Sequence, residues 1–437
     1  MCAMTTLALL TLVVLVTAGL YLRQSSRLFS VVPLSLIAGL ALLLAGVPAV
    51  SLDAITFGWE SVPEQLISVV FATLFFGKAL IPLREIWKFA GPQLVLSQLM
   101  AWGQYLVGGL LTLLILVPLF AANPLSAALI EIGFEGGHGT AAGMAELFEE
   151  LEFGEGEDIA LALATTGLVI GLVSGLLFAA IFRIRSGVRA TIDSGERIRT
   201  RLLTLSSLPR LIGQLALVGL AVALGETFKL ALVAGEDALR QLIPIVEIAR
   251  FIPVFPLAML ASILIQFVMQ KLGIDHLVHQ PTMDRIGSLS LDAVILTALA
   301  TMSLSAVLDN WQIVLILALG GFAWNLTMMF GVAPRLFSEF WFARGMGDFG
   351  QSMGTTATGL LLIDLVDPDR KSGAMERLGY AALLFEPILG GGLFTASSLL
   401  IAYHLGAPVL TAIGFGFVAL WLSVGYLAFM RKRALSD

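Results

Sequence analysis

The stretch that decides the fold reads Glu135-Gly136-Gly137-His138-Gly139-Thr140-Ala141-Ala142-Gly143. A second stretch, in the later half of the chain, reads Gly347-Asp348-Phe349-Gly350-Gln351-Ser352-Met353-Gly354-Thr355-Thr356-Ala357-Thr358-Gly359. Both are rich in glycine and interrupt sequence that is otherwise apolar enough for membrane helices. Backbone groups without helical hydrogen bonds are costly against lipid, so each break needs protein or a water-filled cavity around it. Such breaks in corresponding places of two halves are typical of secondary transporters with inverted repeats.

The composition of the whole chain is that of a membrane protein. Hydrophobic residues make up 58% of the 437 residues, charged residues make up 13%, and the mean hydropathy is +0.94. A soluble domain carries about 25% charged residues. The single cysteine, Cys2, excludes an internal disulfide framework and a cysteine-based zinc site. We expect no cofactor, no metal other than a transported ion, and no nucleic-acid partner.

Apolar runs long enough to cross a hydrocarbon core of roughly 30 Å predict eleven membrane spans. Residues 3–22 are assigned as a span rather than a signal peptide, because no Lys or Arg precedes them. The spans lie at 3–22, 30–50, 66–83, 93–120, 158–182, 208–232, 248–271, 288–307, 311–332, 379–403 and 408–430.

The distribution of charge predicts the orientation of these spans. When the loops alternate between sides, most Lys and Arg residues fall on one side, including those of the segment 183–210, and the acidic string 149–158 falls on the other. An excess of basic residues marks the cytoplasmic side. This predicts a multi-pass protein of the cell inner (plasma) membrane with its N-terminus outside and its C-terminus in the cytoplasm.

The same alternation of the spans across the membrane places each break at the tip of a re-entrant hairpin. Residues 124–148 must enter and leave from the outside, and residues 345–366 from the inside. The predicted fold is therefore an all-α polytopic membrane protein with two inverted repeats of about five transmembrane helices, each with a re-entrant hairpin, plus one extra C-terminal helix. The predicted domains are a first repeat at 1–182, a cytoplasmic connecting loop at 183–207, a second repeat at 208–403, and the extra helix and tail at 404–437.

The two tips carry the predicted binding chemistry. Helix N-termini that point into a cavity attract anionic groups, while unwound carbonyls and hydroxyls suit Na⁺. Ionisable residues inside a membrane are rare and are functional candidates by default. The predicted substrate-binding residues are Gly136, Gly137, His138, Gly139, Thr140, Gln351, Ser352, Gly354, Thr355, Thr356 and Thr358. The predicted ion-coupling residues are Glu135, Asp348, Thr140, Thr356 and Lys78.

Several of these residues also have a plainer explanation. Small residues at the breaks would allow close helix packing without any ligand. Glu131 and Glu135 would line a solvated hairpin mouth if the hairpin is shallow. Lys78 would extend to the cytoplasmic interface or pair with an acid inside the bundle. His138 lacks the His or Glu neighbours of a metal site, which favours a hydrogen-bonding role.

Several motifs follow one another in a characteristic order along the chain. They are Pro33-Leu34-Ser35-Leu36-Ile37-Ala38-Gly39, Gly136-Gly137-His138-Gly139-Thr140 with Ala142-Gly143, Ala164-Thr165-Thr166-Gly167-Leu168-Val169-Ile170-Gly171-Leu172, Ser288-Leu289-Ser290-Leu291, and Gly347-Asp348-Phe349-Gly350 ahead of Gly354-Thr355-Thr356-Ala357-Thr358. From residue 33 to about residue 403, this order resembles the bacterial sodium/glutamate symporter family. The resemblance implies a homodimer with opposed re-entrant hairpins, Na⁺-driven uptake of glutamate, and elevator-like motion of a core that carries the hairpins.

The chain departs from the family pattern at three places. The second hairpin of typical members reads more like Gly-Phe-Gly-Leu-Gly-Ala-Thr-Pro-Thr-Ala, whereas this chain has Asp348, Gln351, Ser352 and Met353 there. Lys78 stands where a small or amide residue is expected, and the span 408–430 is extra. Glutamate or a related small carboxylate is the expected substrate, with a different organic anion or amino acid, or coupling to protons, as the alternative. An ion channel is a more distant alternative, and no His-Glu-x-x-His or Gly-x-Ser-x-Gly motif supports an enzyme.

Overall fold

The structure, a computed structural model, describes residues 62–78, 82–186, 208–240, 249–367 and 371–431, with a few isolated positions outside these ranges. The predicted spans 3–22 and 30–50, and most of the connecting loop 183–207, lie outside the described residues. Nearly all of the described chain is helical, as the composition predicts.

Six helices form the first half of the described chain. Helix α2 continues through a π-helical turn at Thr112–Leu116 to Val117–Phe120, and a 3₁₀ turn at Pro124–Ala128 leads into α3. The helices are α1 (Val62–Thr73), α2 (Leu83–Leu111), α3 (Leu129–Phe134), α4 (Gly137–Gly143), α5 (Ala145–Glu150) and α6 (Glu155–Ser186).

Ten helices form the second half. Helix α11 continues through a π-helical turn at Met328–Val332 to Ala333–Leu336, and α16 ends in a π-helical turn at Tyr426–Met430. The helices are α7 (Leu208–Arg240), α8 (Val254–Leu272), α9 (Gln280–Thr301), α10 (Leu304–Asp309), α11 (Trp311–Thr327), α12 (Trp341–Met353), α13 (Thr356–Val366), α14 (Ala374–Phe385), α15 (Leu393–Leu405) and α16 (Ala407–Gly425).

Within the described residues, 6 helices are long and apolar enough to cross a membrane. They confirm the helices predicted at 93–120, 158–182, 208–232, 248–271, 311–332 and 408–430. Their bounds are Arg84–Phe120, Glu155–Phe182, Pro209–Arg240, Val254–Leu272, Trp311–Leu336 and Ala407–Met430.

Three predicted spans are wrong as continuous helices. The span predicted at 288–307 is interrupted at 302–303, between the end of α9 at Thr301 and the start of α10 at Leu304. The span predicted at 66–83 ends as a helix at Thr73, and a turn at 74–77 follows, with Gly77 in the left-handed region at φ 77°. The span predicted at 379–403 is divided into α14 and α15 by the non-helical segment 386–392. Within this segment Pro387 has no backbone N–H to donate, and Gly390 and Gly391 have φ values of 64° and 95°. We call this segment the third break.

Both predicted breaks are present. In the second stretch, α12 and α13 are separated by Gly354 and Thr355, and their backbones lie so close that a Cβ atom on Gly350 would be 2.8 Å from the Cα atom of Gly359. In the first stretch, α3 and α4 are separated by Glu135 and Gly136. Re-entry of either hairpin from one side of the membrane stays a prediction.

The chain divides into two compact units. The first comprises 1–80, 142–145 and 192–304, and its core brings together buried side chains of α1, α7, α8 and α9, including Ala72, Val218, Ala258 and Met283. The second comprises 81–141, 146–191 and 305–437. Each unit contains segments of both predicted repeats, so the two units reflect how the helices pack and do not correspond to the repeats. The division into repeats stays a prediction.

Helix α2 organises the second unit, and the C-terminal helix α16 packs along it. A Cβ atom on Gly414 of α16 would be 2.8 Å from the backbone nitrogen of Leu106, and Trp102 stacks on Phe417 with ring centroids 4.0 Å apart. The extra helix of the sequence prediction is therefore an integral part of the second unit.

Candidate substrate and ion site

The two predicted breaks meet inside the second unit. Gly137, the first residue of α4, has a φ of 68°, which is in the region that favours glycine. A Cβ atom on Gly137 would be 3.2 Å from the carbonyl oxygen of Gly354 and 3.6 Å from the Cγ2 atom of Thr355. Glycine at this position therefore lets the tip of the first break touch the tip of the second.

A side-chain hydrogen bond also joins the two breaks. The hydroxyl of Ser352 donates to Oε1 of Glu135, and both side chains are buried. The other carboxylate oxygen of Glu135, Oε2, has no hydrogen-bond partner. The carbonyl of Ser352 accepts hydrogen bonds of 3.0 Å from the amides of Asn325 and Gln104, which hold the end of α12 in place.

Asp348 lies one turn earlier on α12 and is bound to α2. Its Oδ2 atom accepts a 2.6 Å hydrogen bond from the amide of Gln93, and its Oδ1 atom accepts a 2.6 Å hydrogen bond from the hydroxyl of Ser97. Both oxygens are thus already engaged, although each retains a lone pair. Asp348 places a buried carboxyl group beside the tip of the second hairpin.

Glu131 is buried rather than exposed at a solvated mouth. Its carboxylate accepts hydrogen bonds from the hydroxyl of Tyr105 at 2.6 Å, the hydroxyl of Thr395 at 2.8 Å and the backbone nitrogen of Gly390 at 2.8 Å. The interpretation of Glu131 and Glu135 as residues of a solvated hairpin mouth is wrong, because the helices of the second unit cover both. Glu131 fixes α3 to the third break and to α15.

His138 has the hydrogen-bonding role that the sequence favours over metal binding. Its Nε2 atom lies 2.9 Å from the hydroxyl oxygen of Thr165 on α6, and that hydroxyl donates to the carbonyl of Leu161 at 3.0 Å. Because the Thr165 proton is used in this way, the Nε2 atom of His138 acts as the donor to Thr165. This contact fixes α4 against α6.

The third break supplies a carboxylate that the sequence analysis missed. Oε1 of Glu386 accepts a 3.1 Å hydrogen bond from the hydroxyl of Thr356, and Oε2 has no partner. The same segment touches the first break, since a Cβ atom on Gly390 would be 3.5 Å from the carbonyl oxygen of Glu135. All three breaks therefore converge in the second unit.

Buried acceptor oxygens without donors cluster on the residues of these breaks and their neighbours. Among the buried polar side chains of the described ranges there is no Lys or Arg to balance the carboxylates. A buried carboxyl group is stabilised by a bound cation or by a proton, so this arrangement suits Na⁺ or H⁺. At the breaks and beside them, the unpartnered oxygens are Oε2 of Glu135, Oγ1 of Thr140, Oε1 of Gln351, Oε2 of Glu386 and Oε1 of Gln104; further unpartnered oxygens belong to Gln93, Thr112 and Ser126.

A sequence model of the sodium/glutamate symporter family matches residues 1–360. The chain belongs to the sodium/glutamate symporter family. Comparison with curated proteins gives no match. Together with its apolar helices, this membership makes the chain a multi-pass membrane protein of a transporter family rather than of an enzyme family.

The part of the chain that matches the family model contains the first two breaks but ends before the third. Sequence reasoning missed Glu386 because the surrounding residues are apolar enough to resemble one continuous span. A signal was present, since Pro387 and the run Gly390-Gly391-Gly392 follow Glu386 closely.

Lys78 belongs to the first unit, whereas the other predicted ion-coupling residues belong to the second. Its ammonium nitrogen lies 5.0 Å from the ring centroid of Phe75, and its charge acts on the nearby carboxyl of Asp284. Extension of Lys78 to the cytoplasmic interface and its pairing with an acid both stay predictions. A role in ion coupling stays a prediction.

Proposed function

We propose that the chain carries out Na⁺-coupled symport of glutamate or a related small carboxylate, with solute and ion bound where the breaks converge. The observation that carries this proposal is the contact between Gly137 and the Gly354–Thr355 tip, surrounded by buried oxygens without partners. Family membership supports Na⁺ and glutamate as the transported pair.

The anionic part of the solute fits the start of α13. This helix has 11 residues and begins at Thr356, with Thr355 extended before it and no side chain bound to its first amides. The free amides and the macrodipole at a helix N-terminus favour a carboxylate. Thr355 and Thr358, whose hydroxyls lie 3.4 Å apart, add hydroxyl groups, while the hydroxyl of Thr356 donates to Glu386. The tip residues of the first break, 136–140, close the site from the other side.

The cation fits the end of α12. The C-terminal end of a helix carries partial negative charge, and Na⁺ takes oxygen ligands. Oε2 of Glu135 and Oε1 of Gln351 are buried there without donors, and Thr140 offers a third oxygen. The buried charge of Asp348 raises the affinity for a cation at this end without any need for direct contact.

Because the cation and the solute bind at adjacent places, the binding of one affects the binding of the other. A cation beside Glu135 cancels the repulsion between that carboxylate and the carboxylate of an incoming solute. Na⁺ therefore raises the affinity for the solute, and the solute raises the affinity for Na⁺ by the same factor. The second unit, which holds all three breaks, is the body that moves in an elevator-type alternating-access cycle. A homodimer in the inner membrane, with the N-terminus outside and the C-terminus in the cytoplasm, completes the proposal.

Ligand-dependent stabilisation of the purified protein tests the binding part of this proposal. Glutamate is expected to raise the melting temperature in Na⁺ and to have little effect when K⁺ replaces Na⁺. Equal stabilisation in the two salts would contradict Na⁺ coupling, and no stabilisation by glutamate or by other small carboxylates would contradict the site.

A further inference from the structure

The third break places a carboxylate at the N-terminus of α13. Glu386 is 8% exposed, one of its oxygens accepts a hydrogen bond from Thr356, and the other has no partner. Thr356 is the first residue of α13, so one hydrogen bond joins the N-terminus of this helix, which prefers an anion, to the carboxylate of Glu386, which prefers a cation. The helix N-terminus attracts an anion, and the free oxygen of Glu386 requires a cation or a hydrogen-bond donor.

This pair of preferences matches the head group of an amino acid. An α-carboxylate and an α-ammonium group are attached to the same carbon atom, so they reach neighbouring anion and cation sites together. A bare Na⁺ ion fits less well here, because the positive end of the α13 dipole repels it. An ammonium group instead offers three N–H donors to the oxygens of Glu386.

Contacts that do not use its side chain hold Glu386 in position. The backbone nitrogen of Leu393 donates to the carbonyl of Pro387 at 3.0 Å, and the backbone nitrogen of Gly390 donates to Glu131 at 2.8 Å. A Cβ atom on Gly392 would be 2.4 Å from the carbonyl oxygen of Glu386, so only glycine allows the chain to fold back this closely. These contacts fix the backbone from which Glu386 extends, and the hydrogen bond from Thr356 orients its carboxylate.

We propose that Glu386 binds the α-ammonium group of the transported solute and so selects α-amino dicarboxylates over dicarboxylates that lack the amine. This inference rests on the proposed function and adds a specificity-determining residue to it. Glutarate is the appropriate probe, because it has the two carboxylates and the chain length of glutamate but no ammonium group.

The test compares glutamate and glutarate as competitors of labelled glutamate uptake at saturating Na⁺, in the unaltered protein and in Glu386→Gln. The unaltered protein is expected to prefer glutamate. In Glu386→Gln the preference is expected to fall about 10- to 100-fold, because a charge-assisted hydrogen bond is lost while glutarate binds as before. Glu376→Gln, an exposed substitution on α14, the helix that precedes the third break, is the matched control and is expected to keep the preference.

Two results would overturn the inference. One is equal affinity of the unaltered protein for glutamate and glutarate, which needs no variant and is independent of how Glu386→Gln folds. The other is an unchanged preference in Glu386→Gln. The substitution would then lower the affinities for glutamate and glutarate by the same factor, or change only the Na⁺ concentration for half-maximal uptake. Absence of Na⁺-driven uptake of any small carboxylate by the unaltered protein would instead contradict the proposed function itself.

Discussion

Ser352 donates a hydrogen bond to Glu135 across 217 residues of sequence. This contact joins the end of α12 to the break between α3 and α4, and it leaves Oε2 of Glu135 without a donor. The close approach of Gly137 to Gly354 involves the same two segments, so the two tips meet at one place in the second unit.

The charge of Glu135 is expected to set the affinity for Na⁺. In Glu135→Gln the amide oxygen still accepts from Ser352, while the negative charge is lost. The Na⁺ concentration for half-maximal uptake is therefore expected to rise about 10-fold or more, since charged ligands dominate cation binding. Uptake measured over a series of Na⁺ concentrations checks this, and an unchanged Na⁺ response would remove Glu135 from the ion site.

Glu131 is expected to matter for stability instead. Three donors surround its carboxylate, and the amide group in Glu131→Gln offers them one acceptor oxygen in place of two. Unpaired buried groups of this kind cost about 1–3 kcal/mol each. Thermal unfolding in detergent is expected to show a lower melting temperature for Glu131→Gln than for Glu135→Gln. The reverse order would contradict the roles assigned to these two carboxylates.

Gly137→Val is expected to abolish uptake while the protein still inserts into the membrane. Valine is strained at a φ of 68°, and its side chain would collide with the tip of the second hairpin. Gly273→Val is the matched control, because Gly273 has a φ of 71° and no atom within 4 Å of its Cβ position. If both variants lose uptake to the same extent, backbone strain rather than the contact between the tips is responsible.

The packing of α16 on α2 predicts different effects at two nearby glycines. Gly414→Leu is expected to destabilise the protein or to prevent its folding, because a side chain there meets the backbone of α2. Gly416→Leu introduces the same residue two positions later, where no atom lies within 4 Å of the Cβ position, and is expected to be tolerated. The size-exclusion profiles and melting temperatures of the Gly414→Leu and Gly416→Leu variants check this prediction. Equal tolerance would contradict an integral role for the extra helix.

The two glycine-rich breaks could be predicted from the sequence because clustered Gly and Thr residues contrast with an apolar background. The third break could not be predicted in the same way, since Glu386 is a single charge within a run that is apolar enough to be one span. The burial of Glu131 could not be predicted from the sequence either, because the residues that donate to it, Tyr105 and Thr395, lie on α2 and α15. Partners that are brought together only by the packing of distant helices leave no local pattern.

The most direct test of the central claim is uptake of labelled glutamate into proteoliposomes that contain the purified protein. We predict accumulation when Na⁺ is high outside and low inside, and its inhibition by excess unlabelled glutamate. We also predict its loss when K⁺ replaces Na⁺. Uptake that is unaffected by replacing Na⁺, or that follows an imposed proton gradient instead, would contradict the account of a Na⁺ site beside Glu135.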